Sequence, residues 1–227
     1  MKFSYSAKRF LSFVMTIVFC LSFLTLPALA DTEIDVSSLY KKKDVDDSVS
    51  DDAVVIELND TQAVISGAGA SVSGSTLTIT SEGDYVLSGT WQGQVVVEAT
   101  EEEKVHLILE GVTITSAEGP AIYEKVSDNL ILTLAEGTTN ILTDATSVSD
   151  GEDTLAAALY AEDDLSINGT GTLVVNGVAG NGIQSKADLV IACGDIQVTA
   201  EGDGIKGRNS VLVLDGTLTV NAQGDGI

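Results

Sequence analysis

Short stretches that alternate apolar and polar residues recur through the second half of the chain. Examples are Leu173-Val-Val175, Ile196-Gln-Val198 and Leu218-Thr-Val220, and Gly, Asn or Asp residues interrupt them. A period of two residues predicts β-strands with one buried face. After residue 30 no stretch has a sustained helical period, so an all-β fold is predicted.

The alternation belongs to a longer repeat. Residues 182–203 align with residues 204–225 without a gap, which gives a period of 22 residues. Earlier copies are longer, and the same phrase begins at Val95, Ala121, Ala158, Gly182, Gly204 and Gly226. An acidic insertion, residues 144–157, lengthens one copy and is predicted to form a protruding loop.

Three short strands in each copy, separated by turns of a few residues, are too short to form hairpins that each bury a face. Each strand can instead pair with its equivalent in the next copy, as in repeat proteins. The sequence therefore predicts a three-sheet parallel β-helix with about 22 residues per turn. One apolar column is expected to stack inside it: Val96, Ile122, Leu159, Ile183, Ile205 and Ile227. An antiparallel β-sandwich is the alternative, and the gapless repeat argues against it.

The two ends of the chain suggest its organisation. Residues 1–30 resemble a signal peptide, with a basic start, an apolar run over 11–26 and Ala28-Leu29-Ala30 as the cleavage site. Residues 31–52 are polar and aperiodic, which predicts a flexible linker. The repeat domain is placed at 53–227. Because the chain stops at Ile227, a core position, we expect the repeat domain to be C-terminally truncated.

Charge narrows the range of partners. The whole chain has 11 Lys+Arg and 34 Asp+Glu, a net charge of −23. Removal of the signal peptide takes away three basic residues and leaves a net charge of −26. Nucleic acid and anionic membranes attract basic surfaces, so neither is an expected partner. We expect an extracellular monomer that attracts divalent cations and is either free or associated with the cell surface.

Two acidic columns are the candidate metal sites. Asn181, Asp203 and Asp225 occupy equivalent repeat positions, as do Asp164 and Asp188. Carboxylates on strands about 4.8 Å apart repel each other, and Ca²⁺ bound to oxygen ligands would relieve that repulsion. The alternative is that these residues serve as turn formers beside glycine. A third candidate is the group of loop acids: Asp144, Asp150, Glu152 and Asp153.

Aromatic and basic side chains form a further column. Tyr123 and Tyr160 share one repeat position, and Lys206 continues it. Each tyrosine follows an inward aliphatic residue, so both rings are predicted to be exposed and able to stack on sugars, with Lys206 pairing with a uronate carboxylate. The alternative is that the tyrosines simply favour strands. The lone His106 is expected to be a surface strand residue with no catalytic partner.

Several phrases resemble a known family. They are Tyr85-Val-Leu-Ser-Gly-Thr90, Leu132-Thr-Leu-Ala-Glu-Gly137, the stretch 163–173 and the recurring Gly-Asp-Gly-Ile. Over about residues 54–227 the chain resembles secreted bacterial carbohydrate-binding domains of the cellulose- and polygalacturonate-binding type. That resemblance implies a right-handed, pectate-lyase-like β-helix, bound calcium, and binding of an acidic or cellulosic plant polysaccharide.

Three functions follow from these observations. The first is a calcium-dependent polysaccharide-binding protein that is not an enzyme. The second is a calcium-dependent lyase, in which Lys186, Lys206 or Arg208 would remove the proton beside a uronate carboxylate. The third is a surface adhesin without glycan specificity.

Overall fold

The structure is a computed structural model that describes residues 37–150 and 153–227. The predicted signal peptide, residues 1–30, lies outside the described residues. Across the described part, no helix has the length and apolar character needed to cross a membrane.

A short helix and a series of strands make up the fold. The helix is α1 (Lys42–Val45). The first strands are β1 (Val54–Asp60), β2 (Gln62–Ile65), β3 (Ala70–Ser73), β4 (Thr76–Ile79), β5 (Gly83–Gln92), β6 (Gln94–Glu98), β7 (Lys104–Thr115), β8 (Ile122–Val126), β9 (Asn129–Leu134) and β10 (Thr139–Thr143). The later strands are β11 (Val148–Asp150), β12 (Asp153–Leu155), β13 (Ala157–Ala161), β14 (Leu165–Gly169), β15 (Thr172–Gly177), β16 (Asn181–Ser185), β17 (Asp188–Ile191), β18 (Asp195–Ala200), β19 (Ile205–Gly207), β20 (Ser210–Val213) and β21 (Thr217–Ala222). The all-β prediction is confirmed.

The strands form two large sheets. The larger has twelve strands, and its main path runs β20-β17-β14-β9-β7-β10-β15-β18-β21. The smaller has seven strands in the order β19-β16-β13-β8-β6-β4-β3. Strands β11 and β12 form a separate antiparallel hairpin within the insertion. Most neighbours in the large sheets are parallel, and antiparallel pairs occur at β1–β2 and β3–β4.

The prediction of a three-sheet, right-handed parallel β-helix is wrong, because the strands form two sheets. The long strand β7 is the physical reason. Its first half pairs with β9 and its second half with β10, so two rows of strands join into one sheet. The strand continues through Gly111, where the backbone changes direction at a φ of 75°, a value that glycine adopts readily. The Asn140 amide oxygen accepts the backbone N–H groups of Gly111 and Val112 at 2.9 and 3.0 Å, which holds the turn in place.

We call the two halves of the twelve-stranded sheet the covered arm and the open arm. The covered arm contains β9, β14, β17 and β20, beside the first halves of β5 and β7. The open arm contains β10, β15, β18 and β21, beside the second halves of β5 and β7.

The pairing of equivalent repeat residues is confirmed. Ile183 lies opposite Ile205, and Leu159 lies opposite both Ile122 and Ile183, all in parallel register. At the start of this column the neighbour of Ile122 is Val95 rather than the predicted Val96. At its other end Ile227 is exposed and belongs to no strand.

The apolar core lies between the sheets. Its side chains come from the inward positions of both, and most are completely buried. Burying one such aliphatic side chain contributes roughly 1.5–3 kcal/mol, so the stacked columns of Ile, Leu and Val make a large favourable contribution to folding. Trp91 is also fully buried in this core, and its indole N–H donates to the Gln94 carbonyl oxygen at 3.2 Å.

Of the predicted linker, residues 31–36 lie outside the described part of the chain, and residues 37–52 make specific contacts with the larger sheet. We call this segment the strap, because it lies across the outer face of the covered arm. The Asp44 carboxylate accepts the Ser166 hydroxyl at 2.7 Å, and the Asn168 amide donates to the carbonyl oxygens of Asp44 and Asp46. At the far end, the Ser50 backbone N–H donates to Asp84 at 2.6 Å. Specific polar contacts hold a segment whose composition alone indicates disorder.

Candidate functional site

The first acidic column is a hydrogen-bonded ladder. The Asn181 side-chain oxygen accepts the backbone N–H of Asp203 at 2.8 Å, and Asp203 Oδ1 accepts the backbone N–H of Asp225 at 3.0 Å. Each side chain thus binds the turn of the next repeat copy. The predicted stacking of these residues is present, and it takes the form of the turn chemistry that was the alternative to calcium.

The glycines of the repeated Gly-Asp-Gly phrase make this ladder possible. A Cβ atom at Gly202 would lie 2.5 Å from Asn181 Oδ1, and one at Gly224 would lie 2.6 Å from Asp203 Oδ1. A side chain there would displace the hydrogen-bonded oxygen. The remaining oxygen of Asp203 pairs with Lys206 Nζ at 2.8 Å. The hydrogen bond from Lys206 holds the pKa of the Asp203 carboxyl below its usual value.

The second acidic column is similar but the strap reaches it. Asp164 Oδ1 accepts the backbone N–H of Asp188 at 3.3 Å, and Asp188 Oδ1 accepts the Ser210 hydroxyl at 2.8 Å. Lys41 of the strap pairs with Asp164 Oδ2 at 3.1 Å. These residues border a small cavity of about 60 Å³ between the strap and the sheet. A cation here would compete with the Lys41 ammonium.

Neither column is a finished metal cage. In the described ranges 37–150 and 153–227, no group of three His, Cys, Asp or Glu side chains is placed to hold a metal ion. Both oxygens of Asp203 already have partners, whereas the Asp225 side chain is exposed and accepts no hydrogen bond from the described residues. The oxygen chemistry suits Ca²⁺, but a bound ion would have to displace Lys206 or recruit water. Calcium therefore stays a prediction at Asn181, Asp203, Asp225, Asp164 and Asp188.

The tyrosines are neighbours, but they are not exposed. Tyr123 pairs with Tyr160 across parallel strands, and their rings meet edge to face with centroids 5.8 Å apart. Their exposed fractions are only 6% and 1%. The rings form a small apolar cluster with Val96 and Ala157, and the β11–β12 hairpin adds Val148 and Leu155. The predicted exposure is wrong because the insertion packs onto this face. Lys206, in contrast, is exposed.

The acidic insertion also contributes a buried acid. The Asp144 carboxylate accepts the backbone N–H groups of Val178 and Ala179 at 2.6 and 3.1 Å. Burial raises the pKa of this carboxyl above its ordinary value. Asp144 therefore closes a turn of the next copy. The side chains of Asp150, Glu152 and Asp153 lie outside the part of the structure that can be described.

Sequence reasoning missed Glu124, a fully buried acid on β8. Burial is the main reason that the pKa of Glu124 rises to about 7, and the nearby Asp163 charge adds to the rise. Its Oε2 accepts the Asp163 backbone N–H at 3.0 Å, whereas its Oε1 has no hydrogen-bond partner among the described residues. One signal was available. Through the strand register, the equivalent positions in later copies carry the small residues Ala161, Ser185 and Gly207.

A second missed feature is a chain of polar side chains under the strap. His106 contacts Asp84 at 3.1 Å through Nδ1 and Thr133 at 2.7 Å through Nε2. The Thr133 hydroxyl in turn donates to the Asn168 amide oxygen. His106 is thus buried rather than a surface residue. Burial opposes ionisation of Asp84, but hydrogen bonds from Ser50 and the contact with His106 hold its pKa below the usual value.

Together the fold and these sites define an acidic all-β protein whose repeats stack polar side chains on regular parallel strands. A family model described as carbohydrate-binding domain-containing protein matches residues 73–227. The match covers more than half of the chain, and the chain belongs to this family.

Two known proteins are similar to this chain. A carbohydrate-binding domain-containing protein of Acetivibrio thermocellus is 40% identical over 136 residues, which are 58% of this chain and 48% of the relative. The chain therefore spans about half the length of that relative. A solved structure of the polysaccharide lyase-like protein from C. thermocellum, a gadolinium derivative, is 34% identical with a TM-score of 0.71. That match covers 77% of this chain and 74% of the other.

Proposed function

We propose that this chain is a secreted, non-enzymatic, monomeric protein that binds plant cell-wall polysaccharide and uses calcium to bind acidic glycans such as polygalacturonate. The observation that carries the proposal is membership of the carbohydrate-binding family over residues 73–227. A net charge of −23 supports the calcium part, because a polyanion would be repelled unless a cation lay between it and the protein.

The acidic columns are the proposed place for that cation. Bound calcium would supply positive charge shared between protein carboxylates and the uronate groups of the glycan. In the first column the Asp225 side chain is exposed, and Asp203 would offer Oδ2 once Lys206 moves away. Lys206 lies 2.8 Å from Asp203 and would be free to pair with a uronate once that contact breaks.

Retention on polysaccharide tests the proposal. The full chain is incubated with insoluble cellulose and with immobilised polygalacturonate, with calcium or with a chelator. We expect polygalacturonate to retain the protein in calcium and to release it in chelator. Retention on neither polysaccharide would overturn the proposed function and favour an adhesin without glycan specificity.

One substitution distinguishes a role of the first acidic column in calcium binding from its role in stabilising the fold. Asp203→Asn keeps a side-chain oxygen for the Asp225 backbone N–H, as Asn181 does one copy earlier. It removes the carboxylate charge. We expect the calcium-dependent retention to weaken while thermal unfolding stays nearly unchanged. Full calcium-dependent retention by this variant would assign the column to turn structure alone.

A lyase is the second candidate, because the similar solved structure is of a protein called polysaccharide lyase-like. Two of the three basic residues considered for proton removal are already engaged. Lys206 pairs with Asp203, and Lys186 pairs with Glu162 at 3.4 Å. A paired ammonium is a poor base. Continuous absorbance of unsaturated product from polygalacturonate would establish the lyase, whereas retained binding without product supports the binding protein.

A further inference from the structure

Two neighbouring columns of outward side chains cross the open arm. We call them together the neutral face. Strand register places in one column Thr90, Thr113, Ile141, Val174, Gln197 and Thr219, and in the next Gln92, Thr115, Thr143, Asn176, Thr199 and Asn221. All twelve are partly or fully exposed, whereas the residues between the columns, such as Leu142, Val175 and Val198, are buried in the core.

The neutral face has no charged side chain, although charged residues make up 20% of the chain. Acidic side chains stand at its borders. Asp60 accepts the Thr90 hydroxyl at 3.0 Å, and Asp195 accepts the Gln197 amide at 3.2 Å. These border carboxylates would repel a polyanion that approached the face. The charge pattern therefore selects an uncharged ligand rich in hydroxyl groups.

The spacing of the neutral face favours an extended chain. Adjacent strands lie about 4.8 Å apart, close to the length of one sugar unit in an extended β-1,4-linked glucan. The columns cross six strands, a span of roughly 24 Å, or about five sugar units. Hydroxyl and amide groups can donate to and accept from sugar hydroxyls at each step. Ile141 and Val174 provide an apolar strip for the C–H groups of a sugar ring.

The columns lead into a cavity at the β5 and β7 end. This cavity has a volume of about 750 Å³. Gln92 and Thr115 belong to both the columns and the cavity wall, and Gln94, Ser116 and Glu118 add polar groups. A pocket of this size is within the range of small-ligand sites. One glycan chain could therefore lie along the columns and place its end in the cavity.

We propose that the neutral face and this cavity bind a single uncharged β-1,4-linked glucan chain that runs across the strands. This inference rests on the proposed function and adds a second site to it, separate from the acidic columns. Binding here needs no metal, because the ligand is uncharged and the contacts are hydrogen bonds and apolar packing.

Chain length provides the first test. Soluble cello-oligosaccharides of two to eight units are titrated into the full chain by calorimetry, in chelator throughout. We expect affinity to rise with each sugar unit up to at least about five, with no binding of galacturonate oligomers. Affinity that stays flat with length would overturn a site that spans the columns.

Substitutions locate the site. Thr199→Glu places a charge on the exposed outer face of β18, and we expect cello-oligosaccharide affinity to fall at least 10-fold. Thr199→Val keeps the β-branched shape and removes one hydroxyl, with an expected loss of about 3- to 10-fold. The matched control is Asn209→Glu, which places the same charge on an exposed turn between β19 and β20. We expect the control to bind as the unaltered chain does.

The results separate the two proposals. If Thr199→Glu binds cello-oligosaccharides normally while the unaltered chain is retained on polysaccharide, the neutral face is the wrong surface and the proposed function stands. If the unaltered chain is retained on no polysaccharide, both proposals are wrong. Loss of cello-oligosaccharide binding in Thr199→Glu, with calcium-dependent polygalacturonate retention intact, supports two separate sites.

Discussion

The covered arm and the open arm are built from the same repeat but have different outer faces. In the open arm, burial alternates residue by residue along β15, β18 and β21, as in a sheet with one face in the core and one in water. In the covered arm, every residue of β9 and β14 is buried. The strap makes this difference, since it lies on one arm and not on the other.

The two outer faces carry residues that suit these surroundings. The covered arm presents Ile108, Ile131 and Val190, together with His106 and Asn168, whose polar atoms have partners. The open arm presents mainly Thr, Asn and Gln. A parallel sheet buried on both faces is expected to be more apolar than one exposed to solvent, and the comparison follows that rule within one molecule. The exposed arm is therefore the one available for a ligand.

The largest expected effect comes from removing the strap. A chain that begins at residue 53 re-exposes Ile108, Ile131 and Val190 and leaves Asn168 without its carbonyl partners. We expect the free energy of unfolding to fall by about 4 kcal/mol or more, and an apolar dye to bind. Urea unfolding measures this. Unchanged stability would show that the strap does not stabilise the covered arm.

The next largest effect is expected at Glu124, which is buried on β8 of the seven-stranded sheet. Its pKa of about 7 exceeds the usual 4.5. Between these two pH values the unfolded chain loses this proton and the folded chain keeps it. Stability should therefore fall as pH rises from about 4.5 to 7 and then stay level, a loss of up to about 3 kcal/mol.

Glu124→Gln should abolish this part of the pH dependence. The variant should match the unaltered chain near pH 4.5 and exceed it above pH 7, as followed by urea unfolding across the pH range. Asp163→Asn serves as the control, because Asp163 supplies only a secondary part of the shift at Glu124. Parallel stability curves for Glu124→Gln and the unaltered chain would contradict a buried neutral carboxyl.

Two asparagines, one on each arm, test whether buried polar contacts stabilise the covered arm more than the open arm. Asn168 on β14 bridges Thr133 and the strap, whereas Asn176 on β15 donates to the Thr143 hydroxyl at 3.0 Å. We expect Asn168→Ala to lower the free energy of unfolding by about 2–3 kcal/mol, because buried groups lose their hydrogen-bond partners. Asn176→Ala should cost less than about 1 kcal/mol. Equal losses in urea unfolding would remove the distinction between the arms.

The smallest expected effect is at Lys206, which contacts the hydrogen-bonded ladder of the first acidic column. Lys206→Met removes the ion pair with Asp203, in which about half of the lysine side chain is exposed. Exposed pairs contribute little, so we expect a loss below about 1 kcal/mol, with Lys125→Met at the Glu98 pair as the control. A loss of several kcal/mol in thermal unfolding would show that the ladder depends on this lysine.

Much of the local structure could be predicted from particular residues. The repeat correctly predicted that Ile183 pairs with Ile205 and that Asn181 lies beside Asp203. Identical spacing places equivalent residues on neighbouring strands. The number of sheets could not be predicted, since it depends on whether β7 continues through Gly111 or stops there. Asn140, 29 residues away from Gly111, stabilises that turn.

The sequence by itself determined the all-β class, the 22-residue spacing and the acidic ladder, because each depends on neighbours in the chain or on residues one repeat apart. Only the tertiary structure decided which outer faces are open. Tyr123 and Tyr160 are buried because the insertion folds onto them, and His106 is buried because the strap crosses its arm. Alternation along a strand shows that a side chain points outward, but a distant segment determines whether it meets water.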